Sequence, residues 1–210
     1  MRHILLLPVI ATLFLLSSCG PKIYEAPEMS STVSRHQLIA IVPPQVAIKG
    51  RPKDDPAALA AAAREDVFTF QREMYSWMLR RKQQGKIRNL EIMDPETTNA
   101  KLERAGYEVD DRSLTPAELA EILGVDAVIT SRFNTSKPMS QGAAVAVGLL
   151  VGAWGTTNNT TVNMDIHDAD AGMVWNYDWE ARGTVFQSPE DLVEALMRNA
   201  SKRMPYTLAK

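Results

Sequence analysis

The sequence predicts an α/β sandwich: a mixed sheet of about five strands with amphipathic helices packed on it, ending in an antiparallel hairpin and a C-terminal helix. Short apolar runs alternate along the chain with longer segments whose apolar residues recur every three or four positions. Residues 162–179 alternate apolar and polar side chains on either side of a turn that contains Asp and Gly. Ser188 and Pro189 then supply the cap and the first position of a last helix.

The first predicted strand and the first long helix are separated by a loop. Residues 38–42 are all apolar, and Pro43 and Pro44 predict that the strand ends there. A strongly amphipathic helix is predicted from Ala57 to about Gly85. The residues expected on its buried face are Phe70, Met74, Trp77 and Met78.

Two further strands and two further helices are predicted next. Residues 90–93 indicate a short strand, and residues 96–105 indicate a short helix. Thr115 and Glu118 have the spacing of a capping box, which predicts the start of another helix. The strand predicted over residues 126–133 is largely apolar at its start, which favours a central place in the sheet.

Large side chains alternate along the second strand of the hairpin. Trp175 and Trp179 are predicted to anchor the core, and alanine at either buried position is expected to cost roughly 3–5 kcal/mol. Met173 and Tyr177 have the same two-residue spacing and are expected on the same inward face.

The amino-terminal residues are typical of a secretory signal. Arg2 precedes an apolar run over residues 4–16, which is too short to span a bilayer. The run ends in Leu16-Ser17-Ser18-Cys19, which resembles the lipobox of bacterial lipoproteins. The resemblance implies that residues 1–18 are a lipoprotein signal peptide and that Cys19 is acylated. Two or three acyl chains anchor a protein stably in a membrane.

A single domain is predicted after this signal. Residues 19–36 are polar and contain two prolines, which favours a flexible lipidated tether. Residues 37–210 are expected to form one αβ domain. Residue Gly20 stands where an aspartate favours inner-membrane retention in enterobacterial lipoproteins. The resemblance therefore implies an outer-membrane protein whose domain faces the periplasm.

Two longer stretches resemble a broader group of envelope lipoproteins. They are LTPAELAEILGVDAVITSRF at 114–133 and VNMDIHDADAGMVWNYDWEARG at 162–183. The group includes the curli-secretion lipoprotein and the lipoprotein activators of penicillin-binding proteins. The resemblance implies a fold similar to the amino-terminal domain of TolB and a structural or regulatory role. The matching positions form the fold, so they say little about activity.

Composition and motifs argue against several classes of function. The formal net charge is −2, and no basic stripe is present, so no nucleic-acid partner is expected. Cys19 is the only cysteine, which excludes disulfides within the chain and cysteine-rich metal sites. No phosphate-binding loop, dinucleotide fingerprint or nucleophile elbow occurs, so we expect no cofactor, no small-molecule substrate and no catalytic residues.

One short stretch, DIHDAD at 165–170, has the composition of a metal or acid/base cluster. Asp165 and His167 are expected on one strand face, with Asp168 close to them. A solvated strand face that leads into an Asp/Gly turn explains the same residues and is the favoured interpretation. His167 is expected to be the only histidine in the folded region, because His36 falls in the predicted tether.

An apolar, glycine-rich insert over residues 142–155 separates the fourth predicted strand from the third. As a helix it spans ~21 Å, short of the ~30 Å hydrocarbon core, so it is not a lone transmembrane helix. It can be buried in the domain, self-associate through closely spaced small residues, or contact a membrane interface. The candidate association or membrane-contact residues are Gly142, Val145, Val147, Gly148, Leu149, Leu150, Gly152 and Trp154.

These observations predict a non-enzymatic outer-membrane lipoprotein. We expect a structural or accessory subunit of a secretion, transport or cell-wall assembly that associates with itself. A monomeric periplasmic activator of a cell-wall synthase is the alternative. A metal-dependent hydrolase built on Asp165, His167 and Asp168 is the least favoured hypothesis.

Overall fold

The computed structural model describes residues 20–50, 52–109, 113–136, 158–184 and 188–208. Within these ranges the chain forms seven strands and five helices. In chain order they are β1 (Lys22–Glu25), α1 (Met29–Arg35), β2 (Leu38–Ile41), β3 (Gln45–Lys49), α2 (Pro56–Gln83), β4 (Glu91–Ile92), α3 (Pro95–Arg104), α4 (Pro116–Leu123), β5 (Ala127–Ser136), β6 (Asn158–Asp168), β7 (Gly172–Thr184) and α5 (Pro189–Ala200).

The strands form one mixed sheet in the order β1-β7-β6-β5-β2-β4, and β3 also pairs with β5. β2 is parallel to β4 and β5, and β3 is parallel to β5. β5, β6, β7 and β1 are antiparallel to their neighbours. The predicted mixed α/β class is therefore confirmed, and β5 lies in the interior of the sheet.

The number of strands is larger than expected, because β1 and β3 add to the five predicted ones. Pro43 and Pro44 end β2 as predicted, since proline cannot donate to a strand ladder. The chain resumes pairing immediately afterwards, so that β2 lies against the first part of β5 and β3 against its last part. β3 is partly exposed, and its apolar run is only three residues long, Val46, Ala47 and Ile48, between Gln45 and Lys49.

Helices cover the sheet from both sides. On one face α2 and α5 pack on the sheet through a large apolar cluster that includes Phe70, Met74 and Leu196. On the other face α3 and α4 pack against β2 and β5 through a smaller cluster that includes Leu102 and Leu123. The predicted buried face of the long helix is confirmed, because its four named residues are all buried.

The predicted capping box begins α4. The Thr115 N–H donates to Glu118 Oε2 at 2.7 Å, and the Glu118 N–H donates to Thr115 Oγ1 at 3.3 Å. Gly124 ends the helix with a φ of 67°, a left-handed conformation that glycine adopts without strain.

The hairpin of β6 and β7 contains an irregularity that the alternation did not predict. Ile166 pairs with Trp175, but His167 pairs with Met173, so one extra residue of β7 lies between these pairs. This bulge turns Met173 outward, where it is 43% exposed, while Trp175 is fully buried. The expectation that Met173 shares the inward face is wrong. Trp179 is partly buried against the large cluster.

The prediction of a flexible tether over residues 19–36 is wrong from Lys22 onward. β1 pairs antiparallel with the outer edge of β7 along its whole length, and α1 buries Thr32 and Val33. The edge of β7 offers unpaired backbone groups, so a strand there is favoured by its partner even when its own sequence is polar. The domain therefore begins at β1 rather than at residue 37.

Candidate functional site

The residues predicted to make membrane or self-association contacts lie outside the described part of the chain. They comprise the lipidation residue Cys19 and the insert, and their roles stay predictions. The structure does describe the residues nearest to these segments: Gly20 follows Cys19, and Ser136 and Asn158 lie before and after the insert. Among the described residues, no helix is both long and apolar enough to cross a bilayer.

The sheet brings Asp165 and His167 together on the face that carries α4, as the alternation predicted. Both side chains are half-buried and line a hollow of about 250 Å³ beside Pro116 and Leu119. Across to β7, Asn176 Nδ2 donates to Asp165 Oδ1 at 2.6 Å. The pair therefore lies on a half-buried, polar part of the sheet surface beside α4.

Burial drives both members of this pair toward their uncharged forms. It raises the pKa of Asp165, an effect that the hydrogen bond from Asn176 and the charge of His167 oppose and the charge of Asp178 reinforces. Burial also lowers the pKa of the His167 imidazole, which the negative charge of Asp165 opposes. The imidazole therefore loses its proton at a lower pH, and the carboxyl keeps its proton to a higher pH, than exposed groups of the same types.

Asp168 does not join Asp165 and His167. Its Oδ1 accepts from the N–H groups of Asp170 and Ala171 at 3.0 and 2.6 Å, within the hairpin turn. Its Oδ2 lies 2.9 Å from Nε2 of His36. The residues of the DIHDAD stretch, for which a metal or acid/base cluster was the less favoured interpretation, are therefore divided between two surroundings. Across the described ranges, no three His, Cys, Asp or Glu side chains converge to hold a metal ion.

A buried network of His36, Asp168 and Tyr206 was missed by the sequence analysis. His36 is 5% exposed, and both ring nitrogens have partners. Because a carboxylate can only accept, Nε2–H of His36 donates to Asp168. The other ring nitrogen, Nδ1, lies 2.8 Å from the Tyr206 hydroxyl, which donates to it when the ring is neutral. His167 is thus not the only histidine of the folded region.

The charges in this network have distinct causes. Burial acts to raise the pKa of Asp168, but the hydrogen bonds from Ala171, His36 and Asp170 outweigh it and hold the pKa below its usual value. Burial, reinforced by the charge of Asp168, raises the pKa of Tyr206 far above its ordinary value. The network therefore contains an ionised carboxylate and a protonated phenol at neutral pH, and it joins α1, the hairpin turn and the C-terminal segment.

An apolar cleft of about 650 Å³ lies elsewhere, between α2, α3 and the start of β3. Phe68 on its wall is 43% exposed, and Arg64 and Glu103 also line it. The remaining wall residues are mostly apolar and include Val46, Ala60, Val67, Leu102 and Tyr107.

Comparison of the sequence with protein-family models gave no match, and comparison with curated proteins gave none. The fold is similar to the lipoprotein GNA1162 from Neisseria meningitidis, with 13% identity, a TM-score of 0.43, and coverage of 79% of this chain and 99% of that one. It is similar to the PelC dodecamer from Paraburkholderia phytofirmans, with 12% identity, a TM-score of 0.37, and coverage of 91% and 99%. It is also similar to the C-terminal domain of LpoB from Salmonella enterica, with 9% identity, a TM-score of 0.33, and coverage of 73% of this chain and 94% of that one. Identities and scores this low transfer no function.

Proposed function

We propose that the protein is a non-enzymatic, outer-membrane lipoprotein that serves as a structural or accessory subunit of an envelope secretion, transport or cell-wall assembly. The observation that carries this proposal is the position of its only cysteine. Cys19 ends a lipobox-like run, and the first strand of the fold starts at Lys22, three residues later. Cleavage before Cys19 would remove the apolar signal and leave the described domain intact.

Acylation of Cys19 is tested by mass spectrometry of the protein purified from separated membranes. The wild-type chain is expected to lack residues 1–18 and to carry the mass of its acyl chains in the outer-membrane fraction. The C19A variant is expected to keep its signal and lose the acyl mass. S18A, which keeps a small residue before the cysteine, serves as the matched control and stays acylated. An unmodified Cys19 in membrane-purified wild type would refute the anchor.

Self-association through residues 142–155 is the second part of the proposal. β5 and β6 are adjacent antiparallel strands, and Ser136 pairs with Asn159 at their ends. A short turn would be enough to join them, so the sheet itself does not require an insert of this length. Gly148 and Gly152 have the spacing that lets two helices approach closely. These features support an insert that serves contacts outside the domain.

Light scattering of the lipidated protein in detergent tests the assembly. Wild type is expected to be an oligomer, and a variant with a Gly/Ser segment of equal length in place of residues 142–155 is expected to be a monomer with unchanged circular dichroism. A monomeric wild type would favour the monomeric activator instead. Unfolding of the replaced variant would indicate that the insert belongs to the core.

A further inference from the structure

The absence of a long tether restricts how far the domain can stand from its anchor. Cys19 precedes the first residue of β1, Lys22, by three residues, and an extended chain spans at most ~3.6 Å per residue. If Cys19 is acylated, as proposed above, Lys22 therefore lies within roughly 10 Å of the lipid-bearing residue. The surface around Lys22 must then be close to the bilayer.

The pairing of β1 decides which end of the sheet this is. β1 is antiparallel to β7, and Lys22 lies opposite Asp178. The chain before Lys22 therefore points toward Glu180 and the end of β7. Gly20 agrees with that direction, because it lines a surface hollow together with Glu180 and Thr161.

The insert joins the domain at the same end of the sheet. β5 finishes at Ser136, which pairs with Asn159, and β6 begins at Asn158. Both strand ends therefore lie only two or three residue positions from Thr161 along β6. Three strand spacings of about 4.8 Å separate β1 from β5, so Gly20 and Ser136 lie within roughly 20 Å of each other. The lipidation residue Cys19, which directly precedes Gly20, and the insert over residues 142–155 are thus attached to the domain at the same end of the sheet. We call it the anchor end.

The opposite end of the sheet has a different character. β6 runs from Asn158 to Asp168, and its length places the hairpin turn roughly 30 Å from the anchor end. At the turn Asp170 is exposed and Asp168 is buried, whereas β1 begins with Lys22 and β3 finishes with Lys49 at the anchor end, where Glu180 is also exposed. Anionic lipid headgroups attract lysines near the surface and repel carboxylates.

We propose that the anchor end is a bilayer-contacting surface, so that the strands stand on the membrane and the β6–β7 hairpin turn points away from it. The contacting surface is formed by Gly20, Lys22, Lys49, Asn134, Ser136 and Thr161. The proposal rests on the acylation of Cys19 proposed above and adds a fixed orientation to it. Any partner that the protein engages away from the membrane then meets the hairpin end or the helical faces.

Fluorescence quenching by spin-labelled lipids tests the orientation. Acylation consumes the thiol of Cys19, so an introduced cysteine is the only free thiol of the mature lipoprotein. N134C and T161C carry an exposed label at the anchor end, and A171C is the matched control at the hairpin turn. Each lipidated protein is reconstituted into vesicles of phosphatidylethanolamine and phosphatidylglycerol with headgroup nitroxides. The labels at 134 and 161 are expected to lose most of their fluorescence, and the label at 171 is expected to keep nearly all of it.

Flotation of the same vesicles separates the two proposals. The orientation is refuted, and the anchor stands, in two cases in which the lipidated protein floats with the vesicles. In the first case the label at 171 is quenched, and in the second case none of the three labels is quenched. If the lipidated protein does not float, the anchor fails and the orientation fails with it. Two anchor-end positions on different strands guard against a single variant that folds poorly, and thermal unfolding of all three variants identifies such a case.

Discussion

Replacement of Asp168 by alanine tests whether the buried network holds the hairpin turn to the rest of the domain. The variant loses the contact with His36, which is buried, and two contacts with the N–H groups of Asp170 and Ala171. A hydrogen bond to a charged group contributes about 1.5–3 kcal/mol, whereas water can replace the carboxylate at the exposed turn. We expect the free energy of unfolding to fall by about 3 kcal/mol, since the imidazole of His36 is left buried without its acceptor.

Urea denaturation followed by tryptophan fluorescence measures this loss as a lower midpoint at an unchanged slope. D170A is the matched control, because Asp170 is exposed on the same turn and its removal is expected to cost less than about 0.5 kcal/mol. Equal midpoints for D168A and D170A would refute the structural role of the network.

The same network sets a pH dependence whose sign follows from the lowered pKa of Asp168. An acid with a lowered pKa in the folded state contributes stability that is present above its unfolded pKa of about 3.9 and is lost as the pH falls through the folded value. The stability difference between wild type and D168N is therefore expected to shrink below about pH 4. A difference that stays constant down to pH 2 would contradict the assignment.

Two further changes test the core and a charged helix position. W175A removes a fully buried ring stacked on Tyr177 at 5.7 Å between centroids, and it should cost roughly 3–5 kcal/mol by urea denaturation, against almost nothing for M173A. Asp66 has a pKa raised to about 6, mainly by burial and then by the charges of Glu65 and Glu190. The folded state therefore favours the protonated carboxyl, and the stability that this form contributes is lost as the pH rises through that value. D66N should therefore stabilise the domain at pH 8 by about 1 kcal/mol, after allowance for solvent screening, and not at about pH 3, below the unfolded pKa. A destabilised D66N at pH 8 would contradict this reasoning.

Local signals were sufficient for most of the helices and for the hairpin. The capping box of Thr115 and Glu118 needs only residues three positions apart, so the start of α4 could be predicted without knowing what it packs on. The apolar stripe of α2 and the alternation of β6 likewise reflect one buried face each. The bulge beside Trp175 could not be predicted, because it arises from the register between two strands.

The candidate site was less accessible to sequence reasoning. His36 follows a polar segment, and its partners Asp168 and Tyr206 lie 132 and 170 positions further along the chain. No hydrophobic pattern in the sequence around His36 predicts that its side chain is buried. The interpretation of Asp168 as a turn residue was correct for Oδ1, which accepts hydrogen bonds from the N–H groups of the turn. It did not predict the contact of Oδ2 with His36.

The sequence by itself determined four of the five described helices, five of the seven described strands and the lipobox-like signal, because each depends on neighbours or on a fixed period along the chain. Only the tertiary structure decided that residues 22–36 belong to the domain, since β1 gains its hydrogen bonds from the edge of β7 and α1 buries Val33 against the core. That pairing also brings Gly20 to the end of the sheet at which β5 finishes and β6 begins. Such a relation depends on the register between distant strands, which no local pattern encodes.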